Sequence, residues 1–320
     1  MATDAPSRPA PAVTPRASDV FEKTRGRRRF VDRLMTTLVT GAFAVAMIPL
    51  VSVAWTVGSR GLKRLNGTLL TTTMRGVFGG MDAGGIQHAI VGTLLITLAA
   101  AVISVPIGLL CAIYLVEYGH GRLAGAVTFF VDVMTGIPSI VAGLFAYALF
   151  TLLLGPGARA GIVGSVALSV LMIPVVVRSS EEMLRLVPNE LREAALALGV
   201  PKWLTILKIV VRTAIAGITT GVMLAVARVI GETAPLLITV GVADSMNWNL
   251  FAGRMMTLPV YVFGQYREGL VPCANRAVTC LPTINFDRAW AAALVLILIV
   301  MGLNLIARLI TRYFAPKTRL

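Results

Sequence analysis

Residues 189–201 read NELREAALALGVP, a short polar segment that carries its own helix boundaries and lies between two long apolar runs. Asn189 is a residue type that caps helix N-termini, and Glu190 suits the first turn because the helix dipole favours an anion there. Gly199 fits the left-handed position that follows a helix, and Pro201 prevents the helix from continuing. The segment is therefore predicted to form a short separate helix. One shallow face of it combines four apolar residues at helical spacing: Leu191, Ala194, Ala195 and Leu198.

Six apolar stretches elsewhere in the chain are long enough to cross a membrane, which takes roughly 20 apolar residues. They run over residues 34–57, 88–115, 124–154, 162–177, 206–242 and 289–310. The fifth stretch is too long for one straight crossing and is interrupted by Gly231 and Pro235. Pro106, Pro138 and Pro174 interrupt other runs, where they mark either bends in the packing or gating points. The sequence predicts an all-α polytopic membrane protein with six transmembrane helices, and the segment at 189–201 lies between the fourth and the fifth.

The composition agrees with a membrane protein and argues against a nucleic-acid-binding one. The chain is 57% hydrophobic and only 14% charged, with a mean hydropathy of +0.82, whereas soluble domains carry about 25% charged residues. The net charge of +14 could attract nucleic acid. The basic residues, however, lie in the N-terminal tail and between the apolar runs, without an aromatic-studded basic face. No nucleic-acid partner is expected, and membrane lipid is.

The distribution of basic residues predicts the orientation in the membrane. With the N-terminus inside and six spans, the cytoplasmic segments hold 19 of the 29 Lys and Arg residues, as the positive-inside rule requires. Residues 1–33 are predicted to be a disordered cytoplasmic tail because they lack an apolar period. Residues 34–313 are predicted to form the transmembrane domain, with a cytoplasmic loop at about 178–205, and residues 314–320 are predicted to form a short cytoplasmic tail. The expected location is the cell membrane, with both termini in the cytoplasm.

Nucleotide and metal chemistry are not expected in this chain. A phosphate-binding Walker A loop needs Gly-Lys followed by Ser or Thr, and none of the five lysines follows a glycine. His88 and His120 are far apart and lack acidic or cysteine companions at ligand spacing, so no metal site is expected. Cys273 and Cys280 bracket a loop predicted to face outward, where a disulfide is permitted. Two isolated thiols are the alternative.

Arg228 and Glu232 stand four residues apart in the fifth apolar run. At that spacing they share a helix face and can pair, and an intrahelical pair that only neutralises two charges is one interpretation. The other is a translocation path, because ionisable residues inside a membrane are functional by default. A guanidinium matches the oxygens of an oxyanion bidentately. Glu232 would then orient Arg228 and weaken the anion's hold, and the Thr233 hydroxyl would donate to it.

The short helix resembles a known signature. Four residues resemble the EAA signature of binding-protein-dependent ABC importer permeases: Glu193, Ala194, Ala195 and Gly199. In that family the loop docks into a cleft on a cytoplasmic ATPase and transmits its closure to the membrane helices. Ile209 continues the family pattern, whereas Val211 and Arg212 replace its Leu-Pro.

The fifth span resembles a narrower family. "ARVIGETAPLL" at 227–237 is similar to the fifth-span signature of phosphate importer permeases of the PstA type. Further segments match that family in order: "VPIGLLCAIYLVEY" (105–118), "TGIPSIVAGLFAY" (135–147), "PVVVRSSEEMLRLVP" (174–188) and "GITTGVMLAVAR" (217–228). The resemblance covers roughly residues 85–260. It implies the importer-permease fold and import of phosphate by alternating access.

The resemblance also implies the partners. These are a second related permease, two copies of a cytoplasmic ATPase that would bind ATP and magnesium, and an extracytoplasmic phosphate-binding protein. The chain itself is expected to bind no cofactor and to catalyse no reaction. Three alternatives stay open: a permease for another oxyanion such as sulfate, a secondary carrier driven by an ion gradient, and a membrane scaffold that does not conduct.

Overall fold

The computed structural model describes residues 25–273 and 280–314, and within these ranges the chain is almost entirely helical. In chain order the helices are α1 (Arg25–Gly61), α2 (Gly67–Thr71), α3 (Gln87–Ile113), α4 (Gly121–Thr135), α5 (Ser139–Leu154), α6 (Gly161–Arg185), α7 (Asn189–Ala197), α8 (Lys202–Thr205), α9 (Val211–Val229), α10 (Ala234–Thr239), α11 (Leu258–Glu268) and α12 (Ile284–Phe314). A π-helical turn extends α3 over Tyr114–Tyr118, and a second one over Ile206–Val210 joins α8 to α9. The all-α prediction is confirmed.

Among the described residues, five helical stretches are long and apolar enough to span a membrane: Arg28–Gly61, Gln87–Tyr118, Gly161–Arg185, Lys202–Val229 and Ile284–Leu309. The third predicted span differs, because it consists of α4 and α5 bent by 108° against each other. The count reaches six only if this bent pair is one broken span. Pro138 explains the break, since it has no N–H to donate and forces the preceding residue out of the helical region. Pro106 and Pro174, in contrast, lie inside continuous helices.

Several helices extend beyond the apolar runs from which they were predicted. Helix α1 begins at Arg25, so the last nine residues of the predicted disordered tail are helical, and residues 1–24 lie outside the described ranges. Helix α6 continues to Arg185 instead of ending at 177, because Glu181 pairs with both Arg178 and Arg185 along the helix. Helix α12 extends to Phe314, and residues 315–320 also lie outside the described ranges.

The chain forms two compact units, one ending at Thr56 and one beginning at Val57. The first contains most of α1, which is apolar and has Pro49 inside the helix. The second contains the packed core, with α6 at its centre against α3, α5 and α9. Ser165 and Ser169 of α6 donate to the carbonyl oxygens of Ile96 and Ala100 on α3, at 3.1 and 3.4 Å. Small hydroxyl residues allow such close helix contact inside a membrane.

Two of the loops predicted to face outward contact each other. Arg288 is only 1% exposed and donates to the carbonyl oxygens of Met81 and Ala83, each at 2.7 Å. Cys273 and Cys280 are joined in a disulfide with Cα atoms 5.7 Å apart, so the bonded alternative is the one observed. The residues between them, 274–279, lie outside the described ranges.

Candidate functional site

Arg228 lies about halfway along the helical bundle. Gly217 and Gly221 of α9 pack directly on Met183 and Ser179 of α6, and a Cβ at Gly221 would lie 2.5 Å from the Cβ of Ser179. The two helices therefore run antiparallel in close contact. Continuing this register along α9 places Arg228 level with Met172, near the middle of the 25-residue α6.

The predicted ion pair between Arg228 and Glu232 does not form. Helix α9 ends at Val229, one residue after Arg228, and the backbone N–H of Glu232 donates to the Val229 carbonyl at 3.1 Å in the turn that follows. The spacing of four residues brings two side chains onto one face only while the helix continues. Within the described ranges neither side chain takes part in an ion pair, with Arg228 exposed and Glu232 half-buried.

The segment after Arg228 also differs from the prediction. Pro235 does not interrupt a helix but begins one, in the first turn of α10, where its missing N–H is not needed. Gly231 packs against nothing: a Cβ there would meet no atom within 4 Å. Thr233 occupies the cap position of α10 without a side-chain capping bond, and its hydroxyl has no partner among the described residues. Three polar side chains in six residues thus remain available to a ligand.

The exposed face that carries Arg228 cannot lie against lipid tails. An arginine at the centre of a bilayer costs about 3 kcal/mol or more on insertion scales unless it faces water or a partner. The described residues of this chain provide no counter-ion for Arg228. If the helices span a membrane in this register, Arg228 is therefore expected to face water or another subunit.

Helix α7, the predicted docking helix, ends as expected. Gly199 has φ of 79°, the Val200 N–H donates to the Ala195 carbonyl at 3.1 Å, and the Gly199 N–H donates to Leu196 at 2.9 Å. This is the Schellman pattern that favours glycine. The other end differs, because Pro188 holds the cap position and Asn189 is the first helical residue.

The exposed face of α7 is not quite the predicted one. Ala195 is only 3% exposed, and α7 packs against α8 and the π-helical turn over Ile206–Val210. Glu193 and Ala194 are exposed, and Leu198 is 84% exposed. The remaining surface combines apolar leucines with the unpaired Glu193 carboxylate. Because Leu191, Leu196 and Leu186 are exposed beside it, this end of the protein presents an apolar patch typical of protein–protein contact.

Arg192 attaches α7 to the membrane helices. Its Nε donates to the Glu117 carboxylate at 3.0 Å, at the end of α3. Its Nη atoms donate to the carbonyls of Val187 and Leu184, at 2.6 and 3.0 Å, at the end of α6, and to Asn189 Oδ1 at 3.0 Å. The Arg192 and Glu117 side chains are only 16% and 7% exposed. One guanidinium therefore joins α7 to the ends of α3 and α6.

A second cation strengthens this attachment. Lys202 Nζ donates to the Glu117 carbonyl at 2.6 Å and lies 4.5 Å from the centre of the Tyr118 ring. Sequence reasoning missed Arg192, Lys202 and Glu117 as functional residues. The available signal was Glu117, a lone carboxylate at the end of an apolar run, which is expected to have a cationic partner when it is buried.

Ion pairs also hold the bent third span near the same end. Arg178 of α6 pairs with Asp132 of α4 and with Glu181, the latter at 2.8 Å. In the described part of the chain, no group of three or more His, Cys, Asp or Glu side chains is placed to hold a metal ion.

Comparisons with known proteins show the family to which the chain belongs. Residues 104–320 match the family "Binding-protein-dependent transport system inner membrane component". The chain is 46% identical over 301 residues, 94% of each chain, to the phosphate transport system permease protein PstA 1 of Mycobacterium tuberculosis (strain CDC 1551 / Oshkosh). It is 44% identical over 306 residues, 95% of this chain and 94% of the relative, to PstA of Mycobacterium leprae (strain TN). The similarity thus extends well beyond residues 85–260.

Among solved structures, the MetNI methionine ABC transporter in an inward-facing conformation is similar in fold. It aligns over 72% of this chain and 95% of that chain, with a TM-score of 0.52 and 19% sequence identity.

Proposed function

Because the chain belongs to the family of binding-protein-dependent transport system inner membrane components, and its full-length relatives are PstA phosphate transport permeases, we propose that it conducts inorganic phosphate into the cell as a permease subunit of an ATP-driven importer. The observation that carries the proposal is the exposed Arg228 at mid-depth, which has no ion-pair partner in the described ranges. Its planar fork of N–H donors matches two phosphate oxygens.

Glu232 and Thr233 adjust the strength of this site. The Thr233 hydroxyl adds a neutral donor to an oxyanion held by Arg228. The Glu232 carboxylate, half-buried and four residues away, repels the anion and keeps it from binding too tightly. A conducting site must release its cargo as readily as it takes it up, so a cation with a nearby carboxylate that competes for it only weakly serves better than one with no carboxylate near it.

Transport is driven through α7. The exposed leucines, Glu193 and Ala194 dock on a cytoplasmic ATPase, present in two copies, which binds ATP and magnesium. Closure of the ATPase moves α7, and Arg192 passes that movement to the ends of α3 and α6. A second, related permease completes the path beside Arg228, and a phosphate-binding protein delivers the anion from outside. The complex lies in the cell membrane, with both termini of this chain on the cytoplasmic side.

Substituting Arg228→Lys tests the role of Arg228, because lysine keeps the charge and loses the fork. We expect phosphate uptake by the reconstituted transporter to fall about tenfold, since one hydrogen bond to a charged group is worth about 1.5–3 kcal/mol. Arg212→Lys is the matched control: it changes an exposed arginine at the other end of the same helix and should leave uptake unchanged. Normal uptake by Arg228→Lys in an assembled complex would contradict the proposal.

The substrate and the energy source are tested in the same preparation. Proteoliposomes that contain the permease pair, the ATPase and the binding protein should accumulate phosphate in preference to sulfate, and only with internal ATP. Preferential sulfate uptake would reassign the substrate to another oxyanion. Uptake without ATP, driven by an ion gradient, would show a secondary carrier instead.

A further inference from the structure

A groove between α9, α12 and α3 consists of two adjoining cavities, both lined by Met223. The first has a volume of about 480 Å³, and its polar lining residues are Thr220, Asn304, Arg308 and Arg312. The second has a volume of about 320 Å³. Apart from Thr97, its lining is entirely apolar and includes Leu94, Leu98, Ala101, Val226 and Leu303. Transport as proposed above uses neither cavity.

The two cavities lie at different depths. The packing of α9 against α6 places Thr220 level with Ser180, toward the end of α6 that leads into α7. On the same register, Ile230, which lines the apolar cavity, lies about one turn past the midpoint of α6, toward the end of α6 that is farther from α7. The polar cavity is therefore nearest the α7 end of the bundle, and the apolar cavity extends from it toward the membrane centre.

The polar cavity carries unbalanced positive charge. Arg308 and Arg312 are one helical turn apart, both are exposed, and neither forms an ion pair with another described residue. No acidic residue lines the cavity. Thr220 already donates its hydroxyl proton to the Ala216 carbonyl, and Asn304 donates one amide hydrogen to Val300. The free donors in the cavity are thus chiefly the two guanidinium groups.

We propose that this groove binds an anionic phospholipid of the cytoplasmic leaflet. The phosphate of the headgroup lies on Arg308 and Arg312, and one acyl chain fills the apolar cavity. Basic pockets between transmembrane helices at the cytoplasmic side have the charge that such headgroups require. Free phosphate would leave the apolar cavity unfilled, and a choline headgroup would bring a third positive charge toward the two arginines. The leaflet follows from the proposed orientation of the chain, and the binding chemistry does not depend on phosphate transport.

The test measures the lipid that stays bound to the assembled transporter. The complex is incorporated into nanodiscs of equal phosphatidylglycerol and phosphatidylcholine, purified in detergent, and its retained lipid is quantified by mass spectrometry. We expect phosphatidylglycerol to be enriched. Each of Arg308→Gln and Arg312→Gln should reduce its retention about fivefold, and the double variant about 30-fold, given the usual contribution of a basic side chain near an anionic membrane. Arg212→Gln, which lies outside the groove, should retain as much as the natural protein.

A second variant tests the apolar cavity without changing any charge. Ala101→Phe fills part of it, so we expect phosphatidylglycerol to be lost although both arginines remain. Arg308→Lys should keep most of the lipid, because the charge is retained.

Three outcomes would overturn the proposal. Equal retention of both lipids by the natural protein would show that the headgroup is not selected. Displacement of the lipid by millimolar inorganic phosphate, with the same dependence on Arg308 and Arg312, would assign the polar cavity to the free anion. Loss of the second permease from the double variant would show that the groove is a subunit interface.

Discussion

Replacing Arg192 by methionine should detach the docking helix from the membrane helices while leaving the rest of the chain intact. The change removes the partner of Glu117, whose side chain is only 7% exposed, together with three further hydrogen bonds. Breaking a buried ion pair by removing one member costs about 3–5 kcal/mol. Because all the lost contacts except the one to Asn189 join α7 to the ends of α3 and α6, this free energy should appear in the local opening of α7.

Hydrogen exchange measures that opening directly. A cost of about 3 kcal/mol corresponds to about 100-fold faster exchange of the amides in residues 189–201, given a factor of ten for each 1.4 kcal/mol. In the reconstituted importer we also expect phosphate uptake per ATP hydrolysed to fall, since the ATPase would move a loosened helix. Arg185→Met is the matched control. Its ion pair stays within α6 and its side chain is 65% exposed, so it should change exchange by less than about fivefold.

A double-mutant cycle with Glu117→Gln measures the coupling between Arg192 and Glu117. Glu117→Gln removes the buried charge, so the double variant should exchange more slowly than Arg192→Met alone, although coupling stays impaired. If the two effects simply add, or if Arg192→Met shows unchanged exchange in α7 and normal coupling, then Arg192 does not transmit the movement.

Three further predictions concern the docking turn, the outer loop and the orientation. Gly199→Ala should weaken co-purification of the ATPase, because the left-handed φ of 79° costs a non-glycine residue about 1–2 kcal/mol even though the added Cβ would meet no atom. Gly125→Ala is the control, since a Cβ there also meets no atom and its φ is not positive. Equal co-purification of the ATPase with both variants would contradict the prediction. Replacing Cys273 and Cys280 together by serine should speed hydrogen exchange in residues 271–273 and 280–282, because the loop loses a constraint worth about 2 kcal/mol. Exchange in α7 should stay unchanged, and unaltered exchange in the loop would refute the prediction. A reporter inserted after residue 200 should be accessible only from the cytoplasm, and external labelling would reverse the proposed orientation.

The parts of the fold that could be predicted from the sequence are those with local causes. A bilayer demands about 20 consecutive apolar residues, so the long helices were found, although their polar extensions were not. The end of α7 at Gly199 was also predictable, because one glycine determines it. The bend between α4 and α5 was only indicated, since Pro138 shows where a helix breaks but not by how much.

The site was harder to predict because its contacts depend on where helices end in space. The pairing of Arg228 with Glu232 assumed that α9 continues past Gly231, and it stops at Val229. The bond between Arg192 and Glu117 joins residues 75 positions apart, and no spacing rule connects them. The burial of Ala195 likewise follows from the packing of α7 against the segment Lys202–Val210, and residue spacing within α7 does not show which side is covered.

The two interruptions of the membrane helices are mechanically connected. One lies between α4 and α5, the other between α9 and α10, and α5 meets α10 where a Cβ on Gly143 would lie 2.6 Å from the Cα of Pro235. Backbones in such contact cannot slide past each other without separating, so a change of angle at one interruption forces a change at the other. The two interruptions therefore meet in one backbone contact, and we expect a change of angle at either to be transmitted to the end of α9, where Arg228 lies one residue before the last helical residue.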